Sequence, residues 1–193
     1  EEGCGSSSQA REVDSSGKAH PAKVRTEMER KDGMLYDCFL THDWGEDEMG
    51  RNNHSRVARL NEELKKQNLV TWFDSERMQD NITDQMTSGI DRSHSVVVCV
   101  TQRYVQKVAQ TDNPRDNCKL EFNYASSRKA GALIPVVMEA RMQNTADWHG
   151  AVGMHLGPLL YTSLVDDQDI QTAARRIGDE VRRHREKAKA RAA

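Results

Sequence analysis

One carboxylate in this chain of 193 residues stands where a helix should be apolar. In Asp116-Asn-Cys-Lys-Leu-Glu121-Phe-Asn-Tyr-Ala125, the residues Cys118, Glu121, Phe122 and Ala125 are spaced i, i+3, i+4 and i+7 and share one helical face. A glutamate on an inward face loses hydration, so it must find a partner, shift its pKa or line a cavity. Two readings of this helix stand side by side. Glu121 is a site carboxylate, or it reaches the helix edge and pairs with Arg128 or a more distant base. Elsewhere, His42 beside Asp43 offers acid–base groups, but no nucleophile stands at a fitting spacing, and a solvated loop histidine is the simpler expectation. Of the cysteines, Cys4 lies in a polar tail, Cys38 and Cys99 in apolar runs, and Cys118 near the start of the Glu121 helix. They form no C-x-x-C pair, so no metal site is expected and reduced core thiols are.

Charged residues make up 30% of the chain and hydrophobic ones 36%, with a net charge of -2. That balance supplies no general pull toward nucleic acid or a membrane surface. No apolar run approaches the ~18 residues of a membrane span, and no signal-peptide core is present. A soluble, cytoplasmic protein is expected. Because the chain opens on Glu and not Met, it is expected to be an excerpt from a longer one.

Residues 1 to 33 hold hardly an apolar side chain and cannot offset the entropy of ordering. A disordered linker or tail is expected there, a folded domain over 34 to 185, and a basic tail over 186 to 193. Leu35-Tyr-Asp-Cys-Phe-Leu40 reads as a buried strand followed by a polar loop. Val57, Leu60 and Leu64 repeat at helical spacing behind a Ser55 cap. Leu69-Val-Thr-Trp-Phe73 reads as a second strand, and Ile82, Met86 and Ile90 mark a second helix. Ser95-Val-Val-Val-Cys-Val-Thr101, apolar on both faces, fits a central parallel strand. A short helix around Tyr104 to Val108 precedes the Glu121 helix. Ala132-Leu-Ile-Pro-Val-Val-Met138 is a fourth strand, whose Pro135 points toward an edge or a bulge. Residues 139 to 158 read as a long connection and Leu159-Leu-Tyr-Thr-Ser-Leu164 as a fifth strand. Ile170, Ala174, Ile177 and Val181 form the inward stripe of a last helix. Its basic outward face is expected to be solvated.

Strands alternating with helices predict an α/β fold, a flavodoxin-like five-stranded parallel sheet in the order 2-1-3-4-5 with helices on both faces. In such folds ligands gather beyond the carboxyl ends of the strands, at the switch point between the first and third. Here that rim is built from the loops after Leu40, Phe73 and Thr101. Phosphoryl-accepting receivers share the architecture, and Asp43, Glu46, Asp47 and Glu48 imitate their acidic pocket. The third strand, however, ends in Thr101-Gln-Arg without an acceptor Asp, and the fifth lacks the needed Lys. No G-x-G-x-x-G or P-loop follows any strand, so dinucleotide binding of the Rossmann kind and nucleotide triphosphate hydrolysis are unsupported.

Four motifs in order carry a resemblance. Tyr36-Asp-Cys-Phe-Leu-Thr-His42 is similar to the first box of the Toll/interleukin-1 receptor (TIR) domain family. Gly89-Ile-Asp-Arg-Ser-His-Ser-Val-Val-Val-Cys-Val-Thr-Gln-Arg-Tyr104 resembles the segment that follows the family's BB loop. Asn117-Cys-Lys-Leu-Glu121 resembles its Trp-Cys-x-x-Glu, and Ile134-Pro-Val-Val-Met138 its next strand. The likeness runs from about Met34 to Leu164 and is nearest in wording to TIR domains of protist and invertebrate multi-domain proteins.

The resemblance implies two functions. Some TIR domains act in signal transduction, as in innate immunity, by homotypic association through the BB loop. Others cleave the nicotinamide-ribose bond of NAD⁺ with a Glu in the Trp-Cys-x-x-Glu helix, a position that Glu121 occupies. NAD⁺ is then a substrate, and no cofactor is implied. His42, Trp44, Trp72 and Cys118 become candidate substrate contacts, the two tryptophans as stacking surfaces for a base. Arg77, Asp80 and Asn81 become candidates in the self-association loop. The departures are Asn117 in place of Trp, Asp80 in place of Gly, Asp43 and Trp44 in place of basic residues, and no recognisable late Phe-Trp box. The enzyme reading is placed slightly ahead of the non-enzymatic TIR–TIR interaction module.

Overall fold

Strands that are apolar on both faces need helices above and below them, and the chain supplies these in alternation. The computed structural model describes residues 33–73 and 82–192. It contains β1 (Tyr36–Thr41), α1 (Asn53–Lys66), β2 (Thr71–Trp72), α2 (Ile82–Asp91), β3 (Ser93–Val100), α3 (Gln102–Ala109) and α4 (Asn117–Arg128), then β4 (Leu133–Val137), α5 (Gly150–Leu156), β5 (Thr162–Ser163) and α6 (Ile170–Ala192). The strands form one parallel sheet in the order β2-β1-β3-β4-β5, the expected flavodoxin-like arrangement. No described helix is long and apolar enough to cross a membrane.

All eight residues of β3 are buried. On one face Phe39, Val96, Val98 and Val100 pack with Met86, Ile90, Tyr104, Phe122, Val152 and Leu156 from α2, α3, α4 and α5. On the other, Leu40, Val97, Cys99 and Val136 pack with Val57, Leu60 and Leu64 of α1 and with Ala174, Ile177 and Val181 of α6. Each large aliphatic side chain so buried contributes about 1.5–3 kcal/mol. Cys38, Cys99 and Cys118 are buried free thiols, as expected. Among the described residues no cluster of side chains suits a metal ion.

Several details differ from the sequence expectations. The cap of α1 is Asn52, whose side chain accepts from the Ser55 N–H at 2.8 Å, so the helix starts before Ser55. The expected connection over 139 to 158 holds short 3-10 turns and α5, and it buries Met142, Trp148, Val152 and Leu156. Trp148, Val152 and Leu156 stand four apart, but Gly150, Gly153 and Gly157 lie among them and mask the helical stripe. β5 has two residues and not six, and Leu160 is 98% exposed. Pairing of β4 with β5 begins at Val136, so Pro135 has no β5 neighbour and its missing N–H costs that ladder nothing. Residues 186 to 192, expected as a tail, continue α6. The expected linker over 1 to 33 lies outside the described residues except at Gly33.

Two buried charges tie the carboxyl ends of the strands. Arg56, 1% exposed, donates to Asp167 at 2.8 Å, Asp47 at 3.0 Å, and the carbonyls of Met138 at 2.9 Å and Leu164 at 2.7 Å. One guanidinium thus joins α1, the loop after β1, the exits of β4 and β5, and the turn before α6. Glu139, also buried, accepts from the N–H groups of Gln102 at 2.8 Å and Glu48 at 3.0 Å and takes a forked pair of bonds from Arg141. At the opposite end, Asp37 accepts from the Val70 N–H at 2.8 Å and pairs with Arg185 of α6 at 3.1 Å.

Removing one member of a buried ion cluster strands its partners, at a typical cost of about 3–5 kcal/mol. Arg56→Met is expected to lower unfolding stability by that amount in urea titration; a loss below about 1 kcal/mol would show that the cluster is dispensable. The same cluster sets a response to acid. Burial raises the carboxyls of Asp47 and Asp167, but bonds from Arg51 to the first and from Arg56 and Arg59 to the second outweigh it and hold both below the usual range. A carboxylate lowered in the fold contributes its stability above the unfolded value of about 3.9 and loses it as pH falls through the lower, folded value. Stability should therefore decline as pH is taken below about 4, and less steeply in Arg56→Met, as read by urea midpoints across pH.

Candidate functional site

The phase of α4 is set at its first residues. Asp116 caps the helix by accepting from the Cys118 N–H at 2.9 Å. From that start Cys118, Glu121, Phe122 and Ala125 turn inward together. Phe122 and Ala125 are fully buried, and Glu121 is 8% exposed.

The carboxylate of Glu121 accepts from the Thr41 hydroxyl at 2.6 Å. Thr41 is the last residue of β1, and its oxygen lies 3.1 Å from the Tyr104 hydroxyl. Because the single Thr41 proton goes to Glu121, Tyr104 must donate to Thr41. Burial pushes the Tyr104 phenol well above its ordinary value, so it stays a donor. Tyr104 is itself fixed on α3, whose Thr101 cap accepts from the Tyr104 N–H at 3.1 Å, and its ring meets Phe122 edge-on at 6.3 Å. The result is a directed chain, Tyr104 to Thr41 to Glu121, crossing α3, β1 and α4 at the carboxyl end of the sheet.

On the other side of the same strand end lies a set of aromatic rings. Trp44 stacks on His54 at 3.9 Å, His54 on Phe73 at 5.0 Å, and His42 on Phe73 at 5.4 Å. His42 Nε2 and His54 Nδ1 are 2.8 Å apart. Thr41 and His42 are consecutive, so β1 delivers one residue to the carboxylate and the next to the rings. His42 is buried, not solvated as expected, because its ring is taken into this stack. Burial, then the His54 neighbour, push its pKa down to about 3 against the opposing pull of Asp43, so it is neutral at physiological pH. Trp44, 47% exposed, presents a stacking surface at the end of the set. Trp72 does not join it: the ring is 4% exposed, stacks on Phe39 at 4.2 Å, and leaves Gly89 no room for a Cβ, which would come within 2.8 Å of the indole. Its candidacy as a substrate contact is withdrawn in favour of core packing.

Cys118 touches the site through its backbone partner: the thiol donates to the His42 carbonyl at 3.5 Å. Burial, then the charge of Glu121, push the thiol upward, so it is a packing and bonding group and not a thiolate nucleophile. Asp43, also buried, pairs with Lys107 at 2.7 Å and Arg103 at 3.0 Å, both on α3, and accepts from the Gly45 N–H at 2.9 Å. Burial raises its carboxyl, but the Lys107 and Gly45 bonds and the Arg103 charge outweigh that and hold it below the usual range. A Cβ at Gly45 would lie 2.6 Å from the Arg103 side chain and 2.7 Å from Asp43, so these side chains would have to shift to admit one. Arg77, Asp80 and Asn81 lie outside the described residues.

Sequence reasoning missed Thr41, Tyr104 and the α3 cations. Thr41 looked like the tail of a strand, and Tyr104 like core. Arg103 and Lys107 are four apart on a short helix that follows the switch-point strand, which is the one signal that pointed toward the rim.

A sequence model of the TIR domain matches residues 39–177. Among solved structures the chain is similar to the TIR domain of the Toll-related receptor TRR-2 from the lower metazoan Hydra magnipapillata, at 14% identity and a TM-score of 0.48, covering 76% of this chain and 98% of that one. It is also similar to a metazoan TIR-STING receptor from C. gigas, at 14% identity and a TM-score of 0.46, covering 75% of this chain and 41% of that one. No curated protein matches significantly. The family match takes in β1 from Phe39 onward, the whole of the sheet beyond it, and α6 as far as Ile177, and on that match the chain belongs to the TIR domain family.

Proposed function

We propose that this TIR domain is an NAD⁺ glycohydrolase that acts on self-association, with Glu121 as its catalytic carboxylate. The observation that carries the reading is the bonded chain from Tyr104 through Thr41 to Glu121 at the carboxyl end of β1. A carboxylate on an otherwise apolar helix face is costly, and here it is aimed by a hydroxyl whose own orientation is set by a second donor. In the reaction the bond from the ribose C1′ to the pyridinium nitrogen breaks, and its electron pair leaves with nicotinamide. Nicotinamide departs neutral, so no general acid is needed. The oxocarbenium charge left on the ribose is stabilised by Glu121. Water then adds at C1′ and sheds a proton, giving ADP-ribose; attack by a nitrogen base in its place gives a cyclised or base-exchanged product. NAD⁺ is the substrate, and no cofactor takes part.

The half-exposed Trp44 face is suited to stack an aromatic base of the dinucleotide, with the His54 ring stacked behind it and neutral His42 beyond. Arg103 and Lys107 pair with Asp43, and Lys107 also lies 3.8 Å from Asp116, so the cations at this rim are matched by carboxylates. The setting of this activity is cytoplasmic signal transduction of the innate-immune kind, with other TIR domains as partners. A second reading, association without catalysis, is favoured by Asn117 in place of the family's Trp and by the exposed apolar side chains Met154 and Leu160 beside α5 and β5.

The test is nicotinamide release from NAD⁺ by concentrated or scaffold-clustered protein. Glu121→Gln keeps shape and removes charge, so turnover should fall by about 10²- to 10³-fold with the melting temperature little changed. Release at the wild-type rate from folded, clustered Glu121→Gln would end the assignment of this residue. Wild-type protein that assembles but releases no nicotinamide would leave the second reading.

Thr41 is a positioning residue under the same reading. Thr41→Val removes the hydroxyl without changing volume, and kcat should fall about ten- to a hundredfold while KM stays near its wild-type value. Thr41→Ser should restore most of the loss. A drop in melting temperature with kcat intact would make the hydroxyl purely structural.

A further inference from the structure

The net charge of -2 conceals a segregated basic region at the end of the molecule opposite the rim. A cavity of about 240 Å³ opens between the start of β3, the end of α4 and the last turns of α6. His94, Arg128, Lys129, His184, Lys187 and Arg191 line it, with only alanines and a glycine between them. No Asp or Glu lines it among the described residues. A space of that size admits ordered water or a small anion.

Two of the lining residues already have a carboxylate beside them, Arg128 in Asp91 and His184 in Glu180. Asp91 takes Arg128 at 3.0 Å and the Tyr124 hydroxyl at 2.8 Å. Glu180 takes Arg183 at 2.8 Å and lies 3.4 Å from His184, and Glu186 takes Lys189 at 3.1 Å. Lys187 and Arg191 stand one turn apart on α6, and among the described residues neither is paired with a carboxylate. Lys129, on the α4 side, gives its ammonium to the Asp91 backbone carbonyl at 3.0 Å. Burial lowers its pKa, with the Asp91 charge opposing.

Cations at a helix C-terminus complement the macrodipole, and that accounts for basic residues in the last turn of α6. It does not account for two helices directing their cations into one concavity, where like charges raise each other's energy. Gly131 is an exposed part of the lining, outside the left-handed region of backbone space, and a Cβ there would meet nothing within 4 Å.

We propose that this cleft binds a phosphate-bearing anion, with Lys129, Lys187 and Arg191 as its principal contacts. The site is remote from Glu121, so it stands independently of the catalytic reading. The same chemistry serves a free polyphosphate or the headgroup of a phosphorylated lipid. Calorimetric titration with inorganic pyrophosphate at low salt should show saturable one-to-one binding. Arg191→Glu, on an exposed residue in the last turn, should weaken it at least about tenfold, the scale of a charge-assisted hydrogen bond. Gly131→Met, which adds bulk at the lining and alters no charge, should weaken it by a similar factor, and both variants should keep the wild-type circular dichroism. A second arm sediments the protein with phosphatidylcholine vesicles with and without phosphatidylinositol bisphosphate. Sedimentation lost in both variants assigns a lipid headgroup, and pyrophosphate binding without sedimentation assigns a free phosphate; either upholds the cleft. Absence of saturable pyrophosphate binding, or binding unchanged in Arg191→Glu or in folded Gly131→Met, overturns it.

Discussion

The buried guanidinium of Arg56 is the interaction on which the carboxyl end of this sheet depends. Parallel strands end in loops that no ladder holds, and a rim made of such loops has no reason to keep a shape. Arg56 supplies one by bonding two carboxylates and two strand-exit carbonyls at 2.7–3.0 Å. A lysine would bring one donor atom in place of three nitrogens fixed in a plane. Glu139 repeats the device with opposite sign, joining the start of α3 to the loop after β1. Both are costly groups to bury, and both are fully bonded, which is the condition under which buried charge is tolerated.

That fixed rim is what allows Thr41 and His42 to serve different sides of one strand. If the loop after β1 moved, Thr41 would lose either Tyr104 or Glu121, and the ring set would lose His42. The hydrogen-bond direction is also determined from outside the site. Thr101 caps α3 and seats Tyr104; Asp116 caps α4 and seats Glu121. Two ordinary helix caps therefore set the geometry of the most unusual carboxylate in the chain.

The strand order and the helix faces were readable because burial writes a periodic pattern: β3 on both faces, α1 and α6 on one. Glu121 was readable for the same reason, as a break in such a pattern. What escaped reading was masked by its neighbours or made by distant ones. Trp148, Val152 and Leu156 stand four apart, but the glycines at 150, 153 and 157 lie among them, so α5 and its core contacts were hidden in a presumed connection. Trp72 and Trp44 look equivalent as residue types, and only the close approach of Gly89 and Phe39 separates the core indole from the exposed one. His42 and Thr41 acquire their roles from partners 12 and 80 residues away, a relation no local window contains.

The groups gathered at the end of β1 narrow the chemistry by elimination. The Cys118 thiol is held protonated by burial and by Glu121, which removes a thiolate nucleophile. Neutral His42, lowered to about 3, has lost the basicity a general base needs near neutral pH. Asp43 is a carboxylate held by Lys107, Arg103 and the Gly45 N–H, so its charge is already engaged in contacts that organise the loop. Tyr104 is a donor whose proton is committed to Thr41. Glu121 is the carboxylate that the Thr41 hydroxyl aims at the carboxyl end of β1, at 2.6 Å. Under the proposed reading that carboxylate would stabilise the positive charge of a transition state whose leaving group departs neutral, as nicotinamide does from a ribosyl pyridinium.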